Sequence, residues 1–328
     1  MASLPRLAVD AMGGDEGPKV TVPAAASMAH RADLVLVGDA ARIRAEWPSD
    51  LELPAIHHAG DVLSPSDSLS DVLRRKPDSS MRQALLRQAT GEVDAVVSAG
   101  DTGALMALSR ALLEMVPGVD RPAICKDLQG RAGPFWMLDL GANLDCTAAQ
   151  LRQFAHMGSM LARYVGGIEQ PRVALLNIGT EARKGPALLG EAARLLEQDP
   201  GLHYVGFAEG NVLFDAVADV VVADGFAGNI ALKSIEGAAR MAGHLLRTWL
   251  ASLSPLEQAG LTLVRGKLTR FRHDLNPQRY NGASFVGLSG VVVKSHGSAD
   301  IEGFQSAIEE AVLEVEGQIP GHLAAEFV

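Results

Sequence analysis

Cysteine is almost missing from this 328-residue chain: Cys125 and Cys146 are the only two. So few thiols exclude a disulfide framework and suit a reducing cytoplasm. No stretch of eighteen apolar residues occurs, so no membrane-spanning helix is expected. The opening MASLPRLAVDAMGGD lacks the apolar region of a secretory signal and enters its first strand at once. A soluble, cytoplasmic protein, at most bound to a membrane surface, is expected. Positive charge is also short. A formal net charge of −10 argues against nucleic acid as the main partner, because that needs a broad basic footprint. Common catalytic signatures are absent: no GxxxxGK[ST], no GxGxxG (MGGDEG at Met12–Gly17 has the wrong spacing), no GxSxG, no HExxH and no paired CxxC. No cofactor and no metal are therefore expected. Internal repeats and low-complexity linkers are lacking as well. The 48% hydrophobic content allows a substantial core, and a single α/β catalytic domain spanning 1–328 is expected.

Glycine carries the positive signal. Six glycine-rich turns punctuate the chain: Asp10–Pro18, Ser98–Ala107, Asp139–Asn143, Asn177–Gly185, Asp224–Asn229 and Lys294–Asp300. Short β-branched or leucine-rich runs precede five of them, as buried strands of a parallel sheet would. Strands are predicted near Leu7–Asp10, Leu34–Val37, Ala95–Ser98, Trp136–Leu140, Val173–Ile178, Tyr204–Phe207, Val220–Ala223 and Val291–Lys294. Helices are predicted near Met81–Thr90, Gly103–Met115, Ala148–Arg163, Pro186–Glu197, Gly228–Trp249 and Phe304–Leu313. The βαβ alternation implies a doubly wound three-layer sandwich. Glu46–Ser70, with three prolines, reads as a surface connection. In such folds the loops at the carboxyl ends of the strands build the site. Small glycine-bearing loops suit a compact anion held by backbone N–H groups at helix starts.

Two of these loops carry cations. In NIGTEARKG, Asn177 ends a strand, Gly179 permits close backbone approach, Thr180 offers a hydroxyl and Lys184 a positive charge. In KSHGSAD, Lys294 and His296 again follow a strand. Two such lysines would balance a phosphate dianion. Asn143 and Asn229 add neutral donors. Alternatives stand beside each reading: a solvated lysine for Lys184, a capping or packed histidine for His296. Asp10 and Asp15 flank Gly13–Gly14 and read as turn-forming residues in preference to metal ligands. Cys146 reads as a small buried hydrophobe in preference to a nucleophile.

Ser252–Tyr280 breaks the alternation. Leu261, Val264, Leu268, Phe271 and Leu275 form a narrow helical stripe surrounded by Arg265, Lys267, Arg270 and Arg272. A protruding amphipathic basic helical segment over 252–280 is expected. Its readings are dimer packing, docking of an acidic protein or contact with an anionic membrane surface.

Taken together, the motifs resemble those of the acyl-acyl-carrier-protein:phosphate acyltransferases of bacterial phospholipid synthesis. They run in the family's order over nearly the whole chain: Val9–Pro18, Arg74–Met81, Ser98–Ala107, Leu138–Asn143, Asn177–Gly185, Asp224–Lys233 and Tyr280–Asp300. One departure is Asp101, where the family pattern leads to an expectation of Asn. The resemblance implies a Rossmann-like α/β/α fold related to phosphotransacetylases, a homodimer and peripheral membrane association. It implies transfer of a long-chain acyl group from acyl carrier protein to inorganic phosphate. The acyl phosphate would feed a membrane-bound glycerol-3-phosphate acyltransferase. Lys184, Lys294, His296 and Asn229 are the expected catalytic residues. Asp10, Gly13, Gly14, Ser98, Gly100, Thr102, Asn143, Asn177, Gly179 and Thr180 are expected to bind phosphate or substrate. The alternatives are a phosphotransacetylase using acyl-CoA and a non-catalytic sensor of an acyl ligand.

Overall fold

A computed structural model describes residues 4–64, 66–181, 183–254, 266 and 281–327. Its elements follow the chain as β1 (Arg6–Asp10), α1 (Pro18–Met28), β2 (Asp33–Gly38), α2 (Ala40–Glu46), β3 (Ala55–His58), α3 (Ser80–Ala89), β4 (Ala95–Ser98) and α4 (Thr102–Leu112). Next come β5 (Ala123–Gly130), β6 (Gly133–Leu138), α5 (Ala148–Tyr164), β7 (Arg172–Asn177), α6 (Ala187–Glu197), β8 (His203–Glu209), β9 (Val220–Val222) and α7 (Gly225–Ala251). Last come β10 (Ala283–Val286), β11 (Val291–Lys294), α8 (Ile301–Glu316) and α9 (Ile319–Phe327).

The strands form one hydrogen-bonded series, β3-β2-β1-β4-β11-β10-β5-β6-β9-β7-β8. Alternate residues of each buried strand enter different cores, as the two-residue period of a strand requires. Ala8, Val96, Val292 and Val221 join one core with α3 and α4. Leu7, Val9, Val97 and Val293 face the opposite way, against α1 and α8. Val220 and Val222 meet α5 and α6. The result is helix, sheet and helix in three layers.

Two halves of the sheet run in opposite directions. β3, β2, β1, β4 and β11 are mutually parallel, and so are β6, β9, β7 and β8. β10 lies antiparallel to both β11 and β5, and β6 antiparallel to β5. The parallel strands expected from the apolar runs are present in both halves, and the antiparallel pairings at β10 and β5 make the whole sheet mixed. β5 joins the halves: Ala123–Cys125 pair with β10, and Lys126–Gly130 pair with β6. The apolar-run reading found eight strands and six helices but missed β3, β5, β10, α1, α2 and α9. β5 (AICKDLQG) carries charge mid-strand, and β3 (AIHH) lies within the proline-bearing connection. α1 holds β-branched residues and Pro23, both poor helix signals. Arg265, Lys267, Arg270, Arg272 and the stripe Leu261, Val264, Leu268, Phe271 and Leu275 lie outside the described residues.

Candidate functional site

Strand register brings together residues far apart in the chain. Asp10 pairs across to Ser98, Ser98 to Lys294, and Lys294 to Ala283. The next step reaches β5, where Ser284 opposes Cys125, just before Lys126. Asp10, Ser98, Lys294 and Lys126 share the strand phase of Ala8, Val96, Val292 and Ile124, whose core includes α3 and α4. A row of polar and cationic groups therefore crosses the sheet where β1, β4 and β11 end.

A chamber of about 580 Å³ opens beside this row. Met106, Ile124, Leu140, Leu232 and Phe285 give it apolar walls, while Arg110, Lys126, Lys233, Lys294 and His296 bring cationic or donor groups. A smaller recess of about 270 Å³ adjoins it, lined by Gly13, Gly14, Asp15, Gly100 and Asp101. Thr102 and Lys294 border both spaces. Helix α4 starts there, with Asp101 as its cap: Ala104 N donates to Asp101 Oδ1 at 2.8 Å. Gly13 must be glycine, since a Cβ would sit 2.7 Å from Gly100 N and 2.9 Å from Asp10 Oδ2.

Beneath the site, buried carboxylates hold the loops in place. Asp10 accepts from Ser98 Oγ at 2.6 Å and from Met12 N at 3.3 Å. Asp139 accepts the N–H groups of Ile124, Gly141, Ala142 and Asn143, together with Asn143 Nδ2. Asn143 Nδ2 also donates to Pro122 O. Burial raises the carboxyl pKa of both aspartates, and these hydrogen bonds oppose the rise. From α7, Asn229 Nδ2 donates to Leu140 O at 3.0 Å, fixing the helix to the Asp139 loop.

The cations differ in environment. Burial lowers Lys294 to about 8, although Asp101, Asp10 and Asp15 pull it upward. Its Nζ donates to Ser295 O and lies 3.5 Å from Ala99 O. Burial also lowers Lys126 and His296. Lys233 pairs with Glu236 at 3.0 Å. His296 Nδ1 lies 3.2 Å from Ser298 N and 2.9 Å from Ser298 Oγ, an arrangement in which Nδ1 can accept and leave Nε2 as the donor of the neutral ring. Among the described residues no group of three or more His, Cys, Asp or Glu side chains could hold a metal ion.

This geometry can be set beside known proteins. The family described as fatty acid synthesis protein matches residues 5–321. The chain belongs to that family. A phosphate acyltransferase of Alcanivorax borkumensis is 48% identical over 326 residues, 96% of this chain and 95% of that one. One from Pseudomonas syringae pv. syringae is 48% identical over 328 residues, covering 98% and 96%. Among solved structures, a phosphotransacetylase from Streptococcus pyogenes aligns with a TM-score of 0.64 at 15% identity, covering 95% of this chain and 94% of its own. A 4-hydroxythreonine-4-phosphate dehydrogenase from Klebsiella pneumoniae gives 0.57 at 15% identity, covering 96% and 100%. These structural likenesses establish the fold, a Rossmann-like α/β/α sandwich.

Within this family member, the sequence-predicted residues fall into three groups. Thr102, Asn229, Lys294 and His296 line the chamber, and Gly13, Gly14 and Gly100 line the recess. Asp10, Ser98 and Asn143 are buried supports beneath them. Asn177, Gly179, Thr180 and Lys184 line neither space. Asn177 holds its own loop through Gly179 O and Ile178 N, and Gly179 packs under the stem of Lys184. Lys184 is exposed and pairs with Glu181 at 2.6 Å, which raises its pKa. The structure thus does not join Lys184 to Lys294. Sequence reasoning missed Arg110, Lys126 and Lys233 as lining cations. A signal existed for Lys233, which stands one helical turn beyond Asn229. A lysine within a strand was the only clue to Lys126. Among the described residues no helix is long and apolar enough to cross a membrane.

Proposed function

We propose that this chain is a phosphate acyltransferase that moves a long-chain acyl group from the thioester of acyl carrier protein to inorganic phosphate. Relatives with 48% identity over nearly the full length carry the name phosphate acyltransferase. The observation that carries the reading is Lys294, a buried lysine at the junction of an apolar chamber and a glycine-lined recess. Phosphate sits at that junction, on Lys294 and the free N–H groups at the start of α4. The chamber takes the thioester and the beginning of its chain.

Phosphate is already an anionic nucleophile, so no strong base is required. Its oxygen attacks the thioester carbonyl, the C–O bond forms, the C–S bond breaks and the electron pair leaves on sulfur. The resulting thiolate, with a free pKa of about 8.5, takes a proton from water. The protein's tasks are to position phosphate and to stabilise the carbonyl oxygen as it gains charge. His296 donates through Nε2–H, and Lys126 adds positive potential. Transfer is direct. The Cys146 thiol is pushed up to about 11, mainly by burial, and donates to Asn143 O at 3.4 Å, which suits a packed thiol.

The same proposal includes a homodimer working at the membrane surface in the cytoplasm, with acyl carrier protein as donor. A membrane-bound glycerol-3-phosphate acyltransferase consumes the product. Exposed Phe226, Ile230, Met241, Leu245 and Trp249 on α7 support contact with a second copy. The test incubates the full chain with phosphate and either palmitoyl-carrier or acetyl-CoA, and weighs the products by mass spectrometry. Palmitoyl phosphate is expected. Faster formation of acetyl phosphate would replace the reading with a phosphotransacetylase using acyl-CoA, and no acyl phosphate from either donor would leave a non-catalytic sensor.

A further inference from the structure

We propose that Asp101 makes the site selective for a protonated oxyanion, accepting the hydrogen of a phosphate P–OH and thereby excluding sulfate. The inference rests on the placement of phosphate between Thr102 and Lys294 argued above.

Asp101 Oδ1 is committed to the helix, accepting from Ala104 N at 2.8 Å. That bond fixes the carboxylate at the mouth of the recess, which Asp101 lines together with Gly100, Thr102 and Lys294. Asp15 lines the same recess. Two carboxylates therefore face an anion site served by one lysine. Asp10, deeper in, is already occupied by Ser98 Oγ and Met12 N. A fully ionised oxyanion bound here meets the charges of Asp101 and Asp15 with Lys294 as the single lysine of the recess lining to offset them. Phosphate near neutral pH keeps a hydroxyl, and a hydroxyl donating to a carboxylate makes a short, charge-assisted hydrogen bond. Sulfate has no hydrogen to offer. Arsenate, protonated like phosphate, passes the same filter. The selection works by repelling the wrong ligand as much as by attracting the right one.

Asp101→Asn isolates the charge. Asn keeps the oxygen that caps α4, so the fold is retained, yet its amide cannot repel sulfate. The measurement is competition of sulfate, and separately arsenate, against phosphate in the acyl-transfer assay for wild type, D101N and D15N. In wild type, arsenate is expected to compete on a par with phosphate and sulfate poorly. In D101N the sulfate inhibition constant, relative to the phosphate KM, should fall about tenfold or more, the size of a lost charged hydrogen bond. An unchanged ratio in D101N overturns the proposal, and so does a change seen only in D15N. Phosphate binding to K294A, read by calorimetry, separates the two levels. Unaltered binding in K294A sinks the placement of phosphate itself. Weakened binding there with an unchanged sulfate ratio in D101N sinks only the role of Asp101.

Discussion

The loops NIGTEARKG and KSHGSAD look alike in sequence and differ in the folded chain. Each follows a buried strand, and each offers glycine and a lysine. Lys294 ends β11, in the middle of the strand order, where β4, β10 and α4 surround it. Lys184 follows β7, next to the edge strand β8, and reaches solvent and Glu181. A central strand end is walled by neighbours on both sides, so its lysine is desolvated and its charge acts at short range with little screening. A lysine near the edge keeps its water, and its ion pair contributes little. The lesson is that strand position, more than motif, decides which loop forms a site.

The sharpest attempt to break this contrast pairs two alanine variants. Lys294→Ala should lower kcat/KM for phosphate by about 10²- to 10³-fold, the scale of a lost preorganised donor. Lys184→Ala should change it by less than about threefold. Steady-state rates with palmitoyl-carrier decide, and losses of comparable size would unite the two loops in one site.

Loop support gives a second contrast, in stability. Asp139→Ala leaves several buried N–H groups without an acceptor and should cost about 2–4 kcal/mol. Asn177→Ala loses bonds within one loop only and should cost about 1 kcal/mol. Urea midpoints at constant m-value measure both; equal costs would mean that the Asp139 loop is not the more heavily supported one.

pH sharpens the contrast further. Burial depresses Lys294, so its folded-state pKa of about 8 lies below its unfolded value, and its cation is lost as pH rises through about 8. On the free enzyme, kcat/KM for phosphate should fall about tenfold per unit above that limb. Lys294→Arg should remove the limb, since arginine stays charged. A profile flat to pH 9.5 in wild type would separate phosphate binding from this lysine.

The smallest expected effect is at Cys146. Cys146→Ser should keep activity within about twofold, because a packed thiol is replaced by a hydroxyl of similar size. A trapped acyl thioester on Cys146 would convert direct transfer into a two-step route.

Local patterns made much of the fold legible. Runs such as VDAVVS and DVVVAD marked buried strands, and Asp residues of the glycine turns reappear as helix caps at Asp101, Asp224 and Asp300. The charged β5 was not legible, since Lys126 and Asp127 mask its apolar face. Nor were Arg110, Lys126 and Lys233 as site residues, for nothing local distinguishes them from solvated cations.

By itself, then, the sequence determined most of the strands and the glycine turns that follow them, and so a set of small-residue loops at strand ends of the kind that suits an anion. Backbone preference and hydrophobic period are properties of neighbours in the chain. Only the tertiary structure decided which loops share the site. Strand order and register are set by long-range pairing, and the reversal at β10 and β5 brings Lys126 into the same cavity lining as Lys294, across β10, while the Lys184 loop stays out of it. Burial, which sets the charge behaviour of Lys294, follows from that packing and from nothing nearer in the sequence.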